Sequence, residues 1–531
     1  MRRFNSYGPI NTDEHYYTPM TSLIESAYTR LMGENPQSGG HYITVWAPRQ
    51  TGKTWVMQQI LFQLQKDPRF DVLKINLEIM KDKVDASEVI NFIARKIGEG
   101  LGKKFLGIND QEQFQEIFSK DNLFKPLILI LDEFDALPET GINAIVSSFR
   151  NIHISRKDEK NKTTEQKTYL LHAVALIGVR GVLGIENEKG SPFNVQQSLN
   201  IPNLTLDEVK GMFQWYEKES GQKIEPQVVD ALYQETNGQP GVTSWLGELL
   251  TEKYNTENTK PITMANWNYT YMYASQALPN NNILNIISKV NKEPYKTRIL
   301  ELFRTDEKIE FQYDNEHINY LYMNGAITFE ESKEDLKLYV KFANPFLQKR
   351  LFNYFSNDIF PNMGQLLSPF ENLDDVITDT DLNIVNLLGL YQKYLHKNKG
   401  WLFKDVPRRS DLKIFEAIYH FNLFSYLNEF LRGKGGRVVP EFPTGNGKID
   451  LFIQYQDKHY GIELKSYKDQ ASFKMALKQA ALYGKRLALG EIFLSVFVES
   501  IDKKSRAKYE VDYLEKELGV LVRPFFIATG N

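Results

Sequence analysis

The chain has 531 residues, a formal net charge of −3, 25% charged residues and 42% hydrophobic ones. That length suits about three to five domains with real cores, and that composition excludes collagen-like, fibrous and largely disordered chains. With no cysteine in the sequence, disulfide scaffolds, thiolate zinc sites, iron–sulfur clusters and thiol nucleophiles are excluded as well. Residues 401–531 carry 21 Lys and Arg against 16 Asp and Glu, whereas residues 1–400 carry 43 against 51. The mildly basic C-terminal part is therefore the better place for a polyanion. The first residues lack the apolar core of a signal peptide, and no run reaches the roughly 18 apolar residues of a membrane span. A soluble, cytoplasmic protein without a membrane partner is expected.

In chain order, YITVW at 42–46 reads as a short buried strand entering APRQTGKT, after which WVMQQILFQL shows helical spacing. Further buried strands are expected at 72–77, 127–131 and 173–179, with helical patterns between them, which implies a parallel α/β sheet. From Leu206 to about Lys253 the pattern is helical, broken by Asn237-Gly238-Gln239-Pro240, as in a helical lid. Helices around 283–290, 296–304 and 314–323, followed by short strands in AITFEE and LKLYVKFA, suggest a winged helix. The expected division is 1–205 for an α/β core, 206–280 for the lid, 281–355 for the winged helix, 356–404 for a connector and 405–531 for a second α/β unit.

Ala47-Pro48-Arg49-Gln50-Thr51-Gly52-Lys53-Thr54 fits the phosphate-loop pattern GxxxxGK[ST] except at its first position, where Ala replaces Gly. Backbone N–H groups of such a loop, at the positive end of the following helix, cradle phosphates; Lys53 meets the β/γ charge and the Thr54 hydroxyl ligates Mg²⁺. The segment Arg49–Trp55 is the expected ATP contact. The apolar strand LILIL ends in Asp132-Glu133, where Asp132 would hold Mg²⁺ and Glu133 would polarise the attacking water. These motifs, with GVR after the fourth strand, SPFN at 191–194 and NGQP at 237–240, resemble AAA-like P-loop ATPases related to the archaeal and STAND groups. The resemblance implies that Arg180 senses the γ-phosphate and that Gly238 and Pro240 lie near adenine. It also implies a homo-oligomer assembled through the ATPase domains, with Arg150 and Arg156 as candidate fingers for a neighbouring subunit.

A second constellation lies in GNGKIDLFIQYQDKHYGIELKSYK. Strands at 449–455 and 458–465 around a tight turn at Gln456-Asp457 oppose Asp450 and Glu463, and directly opposed carboxylates repel unless a divalent cation lies between them. Lys465 falls on the same face as Glu463, where an ammonium can orient a metal-bound water against a phosphodiester. These residues resemble the PD-(D/E)xK nuclease superfamily, although Ile449 stands where the family name has proline. The resemblance assigns a third acid to the helix 412–432, for which Glu416 is favoured over Glu429 and Glu441, and it matches Gln479 and Tyr483 to a Gln-x-x-x-Tyr pair on the second core helix. Mg²⁺, with Mn²⁺ as an alternative, is the expected metal, and DNA the expected partner of this region; protein partners are left open.

The leading expectation is a multidomain α/β protein in which an AAA-like ATPase regulates a Mg²⁺-dependent DNA nuclease, an arrangement met in prokaryotic defence or mobile-element loci. A signalling or assembly ATPase with a non-catalytic nuclease-like platform, and a DNA-translocating motor, are the alternatives. The acidic third helix and turn of the 281–355 region oppose phosphates, so that region is expected to pack on protein and relay nucleotide state rather than grip DNA.

Overall fold

The computed structural model describes the chain apart from residues 9, 36–38, 49, 82, 179–195, 256, 304–307, 410–413, 444–447 and 531. The expected strands form, because each is an apolar run with both faces available for burial. Helix α1 (Thr21–Met32) precedes β1 (Tyr42–Trp46), α2 (Lys53–Leu64) and β2 (Asp71–Asn76). Then come α3 (Ala86–Leu101), α4 (Gln111–Glu116), β3 (Leu127–Asp132), α5 (Glu139–Asp158), β4 (Leu171–Gly178) and β5 (Gln196–Asn200). These strands make one sheet in the order β2-β3-β4-β1-β5, and every pairing in it is parallel.

Alternate residues of β3 and β4 feed two cores, as the two-residue period of a strand requires. Leu127, Leu129, Leu131, Val174 and Leu176 pack with α3, α4 and α5. Ile128, Ile130, Ala173, Ala175 and Ile177 pack with α1 and α2 on the other face. The edge strand β5 was not legible beforehand, since QQSLN is polar and carries no apolar run. A capping box of Thr205 and Glu208 starts α6 (Leu206–Ser220); α7 (Pro226–Thr236), α8 (Pro240–Glu248) and α9 (Met264–Gln276) follow. The break between α7 and α8 falls at the predicted residues, where Asn237 and Gly238 both take positive φ.

The chain divides into two units, the first being Met1–Ala274 with Tyr313–Gly325 and the second Ser275–Gln312 with Ala326–Asn531. Helices α10 (Asn281–Val290) and α11 (Tyr295–Leu302) belong to the second unit, whereas α12 (Glu316–Met323) belongs to the first. The stretch 281–355, expected as one module, is thus shared between the units. On α12, Tyr322 meets Trp46 at the end of β1 with ring centroids 6.0 Å apart.

The second unit continues with the hairpin β6 (Ile327–Ser332) and β7 (Lys337–Phe342), then α13 (Pro345–Ile359), α14 (Ile384–Leu402) and α15 (Glu416–Leu431). The stretch expected as a connector with some helix holds the 19-residue α14, whose buried Tyr391 donates to Asn422 Oδ1 on α15 at 2.9 Å. Phe352 of α13 and Phe303 both pack on Phe421 of α15, at 4.8 and 5.4 Å between centroids. A mixed six-stranded sheet, in the order β12-β13-β11-β10-β9-β8, completes the unit. Its strands are β8 (Gly436–Pro443), β9 (Lys448–Tyr455), β10 (Lys458–Ser466), β11 (Glu491–Val498), β12 (Tyr513–Glu515) and β13 (Val520–Ala528). Helix α16 (Gln470–Arg486) covers one face through Phe473, Ala476, Leu477 and Ala480, and α17 (Lys503–Tyr509) follows β11.

At the start of β4, His172 is buried, with Nε2 3.1 Å from the Met32 carbonyl and its ring against Phe70. Burial pushes its imidazole down to about 4, the Met32 hydrogen bond opposing that shift. An unfolded imidazole takes up its proton near pH 6.5, so the native state carries no penalty from this group above that pH. It loses up to about 3 kcal/mol as the pH falls toward 4. The His172→Phe variant is expected to lose less melting temperature between pH 7 and pH 5 than the parent, measured by thermal unfolding of both.

Candidate functional site

The phosphate loop joins β1 to α2. Among its described residues, Gln50 and Gly52 take positive φ, at 57° and 91°. The departure at Ala47 therefore costs no backbone strain, because the left-handed turns lie further along the loop. Gly52 caps α2 with no side-chain hydrogen bond, and the first turn holds no acid, so its N–H donors remain suited to an anion. Lys53, 9% exposed, donates to the carbonyls of Ala47 and Pro48 at 2.9 and 2.8 Å. Thr51 Oγ1 donates to Pro48 O at 2.7 Å, and Thr54 lies exposed. The side chain of Trp55 is buried under the N-terminal segment, its Nε1 donating to Thr18 O and its ring meeting Tyr17.

Helix α8 and the residue before it reach the loop directly. Gln239 Nε2 and the Gly241 N–H both donate to Gln50 O, at 3.2 and 3.0 Å. A Cβ on Gly241 would come within 2.6 Å of Gln50, so Pro240 and Gly241 set α8 tightly on the loop. At the end of β3, Asp132 is buried and pairs with Lys74 Nζ of β2 at 2.7 Å, while Glu133 takes a positive φ of 54°. Arg49 and Arg180 lie outside the described residues, as does SPFN. Arg156 is 4% exposed and donates to the Tyr169 carbonyl, which removes it as a finger for a neighbouring subunit; Arg150 is partly exposed.

In the second unit the hairpin has its predicted register through Ile462 and Leu451, with Gln456 at a φ of 49° in the turn. The ladder ends there, and β10 pairs instead with β11, in parallel, from Ile462 to Ser466. Asp450 Oδ2 accepts the Leu464 N–H at 2.7 Å across this fork. Glu463, 1% exposed, lies 3.1 Å from the Lys465 ammonium. From α15, Glu416 Oε1 accepts the Ser466 N–H at 2.8 Å, one residue beyond that lysine.

Gln479 Nε2 donates to Tyr483 OH at 2.8 Å. Burial raises the Tyr483 phenol's pKa against the Gln479 hydrogen bond; the charges of Glu463 and Asp450 add to the rise and Lys465 opposes it. Asp450, Glu463, Lys465, Gln479 and Tyr483 thus meet at one place, and Glu416 is tied to its edge. Glu429 is ion-paired with Arg432 at 2.7 Å. The pairs Pro440–Leu451 and Phe442–Ile449 set Glu441 opposite Asp450 in register.

Buried acids beside one lysine suit a divalent cation in charge and in donor chemistry. Among the described residues, however, no group of three or more His, Cys, Asp or Glu side chains is gathered closely enough to hold a metal ion.

Residues 37–164 match the AAA domain family. The chain carries an AAA-type P-loop ATPase domain. No curated protein sequence matches the chain. Among solved structures, it is similar to the Walker-type ATPase of Pyrococcus abyssi, with 14% identity and a TM-score of 0.44, over 66% of this chain and 99% of that one. It is also similar to the Cdc6p of Pyrobaculum aerophilum, with 13% identity and a TM-score of 0.36, over 66% and 98%. For the ORC1 protein of Aeropyrum pernix in complex with DNA the values are 16% and 0.34, over 65% and 94%. Among the described residues no helix is long and apolar enough to cross a membrane.

Lys74 in the ATPase domain was missed by sequence reasoning. Its signal was a single lysine inside the apolar strand VLKINL, meaningful only once β2 is known to neighbour β3. Lys74→Met leaves Asp132 buried without its cation and is expected to destabilise the first unit by about 1–3 kcal/mol. If Asp132 holds Mg²⁺ with bound ATP, adding both should raise the melting temperature of the variant more than that of the parent, since the metal would take over the lysine's charge.

Proposed function

We propose that the protein is an ATP-regulated, metal-dependent nuclease that hydrolyses DNA phosphodiester bonds, with ATP and Mg²⁺ bound in the ATPase domain. The observation that carries this reading is the convergence of Asp450, Glu463, Lys465 and Tyr483 at the fork where β10 leaves β9. A structural sheet gains nothing from burying two carboxylates there, whereas Mg²⁺ or Mn²⁺ held by Asp450 and Glu463 would neutralise them. The metal would supply an activated water and a Lewis acid; Lys465 would orient that water, and Glu416 or Glu441 would supply a third acid. The mixed sheet with α15 and α16 on it is consistent with a PD-(D/E)xK core spanning 405–531, and the basic balance of that stretch favours DNA as its partner.

In the ATPase domain, phosphate would displace the Ala47 and Pro48 carbonyls from Lys53. Thr54 and Asp132 would hold Mg²⁺, Glu133 would polarise water, and α8 would report on the loop through Gln50. Because α12 rests on Trp46, the residue before the phosphate loop, we read the winged-helix stretch 281–355 as a relay of nucleotide state. Assembly through ATPase domains and a cytoplasmic, defence-related setting belong to the same reading. A second reading, a signalling ATPase with a non-catalytic platform, is favoured by the lack of a gathered three-ligand metal group among the described residues.

Cleavage of plasmid and single-stranded DNA with Mg²⁺ or Mn²⁺, with and without ATP, separates the two. Asp450→Asn is expected to lower cleavage more than about 100-fold, while Lys53→Ala abolishes ATP binding and removes the ATP response of cleavage. Absence of cleavage by the parent with either metal would favour the platform.

A further inference from the structure

Beside the fork lies a pocket of about 270 Å³ to which neither the metal chemistry nor the nucleotide site assigns a role. It lies between the turn that follows β10 and the first turns of α16. Lys465 and Gln479 belong both to its lining and to the candidate catalytic cluster, so its occupant sits next to any phosphate held there. Tyr467 and Phe473 supply aromatic wall, and Gln479 supplies a polar edge.

Those rings are fixed from behind. Phe473 packs on Phe526 and Tyr509 with centroids 5.5 and 5.6 Å apart, and Tyr467 packs on Tyr509 at 6.0 Å. Rings already held in place lose little entropy when a ligand stacks on them. Aromatic rings with a hydrogen-bonding group beside them suit a planar heteroaromatic ring, since every nucleobase offers a π-face and a polar rim. Cavities of this size take a fragment rather than a large cofactor. A base inside a duplex is stacked and paired on both sides and cannot enter without being extruded.

We infer that this pocket receives an unpaired nucleobase adjoining the scissile phosphate, so that the site selects single-stranded DNA over intact duplex. The inference rests on the nuclease reading above and narrows it to a substrate class.

The test uses the full chain with Ca²⁺ replacing Mg²⁺, strand integrity being checked on a gel. Anisotropy of a labelled single-stranded DNA is compared with that of the blunt duplex of the same sequence. The parent and Ser472→Ala are expected to prefer the single strand by roughly tenfold or more, the range of one base stacked on an aromatic ring. Ser472→Trp, which fills the pocket from α16, should bring single-strand affinity down to the duplex value and leave duplex binding unchanged. As a second measurement on the parent alone, 2-aminopurine placed in the single strand should lose fluorescence on binding as it stacks.

Equal affinity of the parent for both DNA forms, or a folded Ser472→Trp that keeps the preference, overturns the pocket assignment. So does unchanged 2-aminopurine fluorescence at every position along the strand. If DNA is still cut with Mg²⁺ or Mn²⁺ in that case, the nuclease reading stands without it. If the parent neither binds nor cuts any DNA, both fall together.

Discussion

A carboxylate taken out of water at the end of a buried strand must find a cation, and both sites of this chain are organised by that requirement. Leaving such a group unpaired costs several kcal/mol, and the low dielectric that imposes the cost also strengthens whatever pairing is made. At the end of β3 the cation is Lys74, reaching Asp132 from the neighbouring strand. At the fork it is Lys465, two residues from Glu463 on the same strand. In each case the lysine supplies the opposite charge that keeps the buried acid in place. Lys53 shows the complementary arrangement, a buried ammonium held on two loop carbonyls.

The fork shows how a small change of pairing makes a site. While β10 runs antiparallel to β9, its backbone groups are satisfied across the hairpin. Once it turns to β11, the Leu464 N–H no longer has a β9 carbonyl in register and bonds the side chain of Asp450 instead. The next free donor, Ser466 N–H, takes Glu416 from α15. Orphaned backbone donors thus recruit the acids, and the acids require Lys465. The helix on the far side is locked by aromatic packing, with Tyr419 and His420 on Phe497 of β11, so Glu416 is presented at a fixed height.

Much of this was legible because it is local. The phosphate-loop spacing, the apolar run ending in Asp132-Glu133 and the break at Asn237-Gly238 each lie within a dozen residues, as does the register of the Gln456 hairpin, and each follows from chain geometry. What escaped is non-local or carried by residues of ordinary type. The Lys74–Asp132 pair requires knowing that β2 and β3 adjoin. The burial of Arg156 depends on the Tyr169 carbonyl and on the loop at Gly39, whose Cβ position would lie 3.1 Å from the guanidinium. The role of α14 depends on Tyr391 finding Asn422, a contact between two helices whose amphipathic patterns alone do not name their partner. For the third acid the sequence favours Glu416 over Glu429 and Glu441; in the structure Glu416 accepts the Ser466 N–H and Glu429 is paired with Arg432, contacts that join elements the sequence does not name as neighbours.

The stretch 281–355 brings the same electrostatic reasoning to a surface. In the hairpin β6–β7, Lys341 lies 3.9 Å from Glu330, and Lys337 pairs with Glu310 at 2.9 Å. Asp335 is bonded by the Tyr339 hydroxyl, which holds its carboxyl below the usual range. Cations already neutralised by neighbouring acids release few counterions on meeting a polyanion, so such a hairpin gains little from a phosphate backbone. Helix α12 meanwhile places Tyr322 on Trp46 of the ATPase sheet, and burial raises the Tyr322 phenol's pKa. Helix α12 is in this way packed through Tyr322 against the strand that enters the phosphate loop.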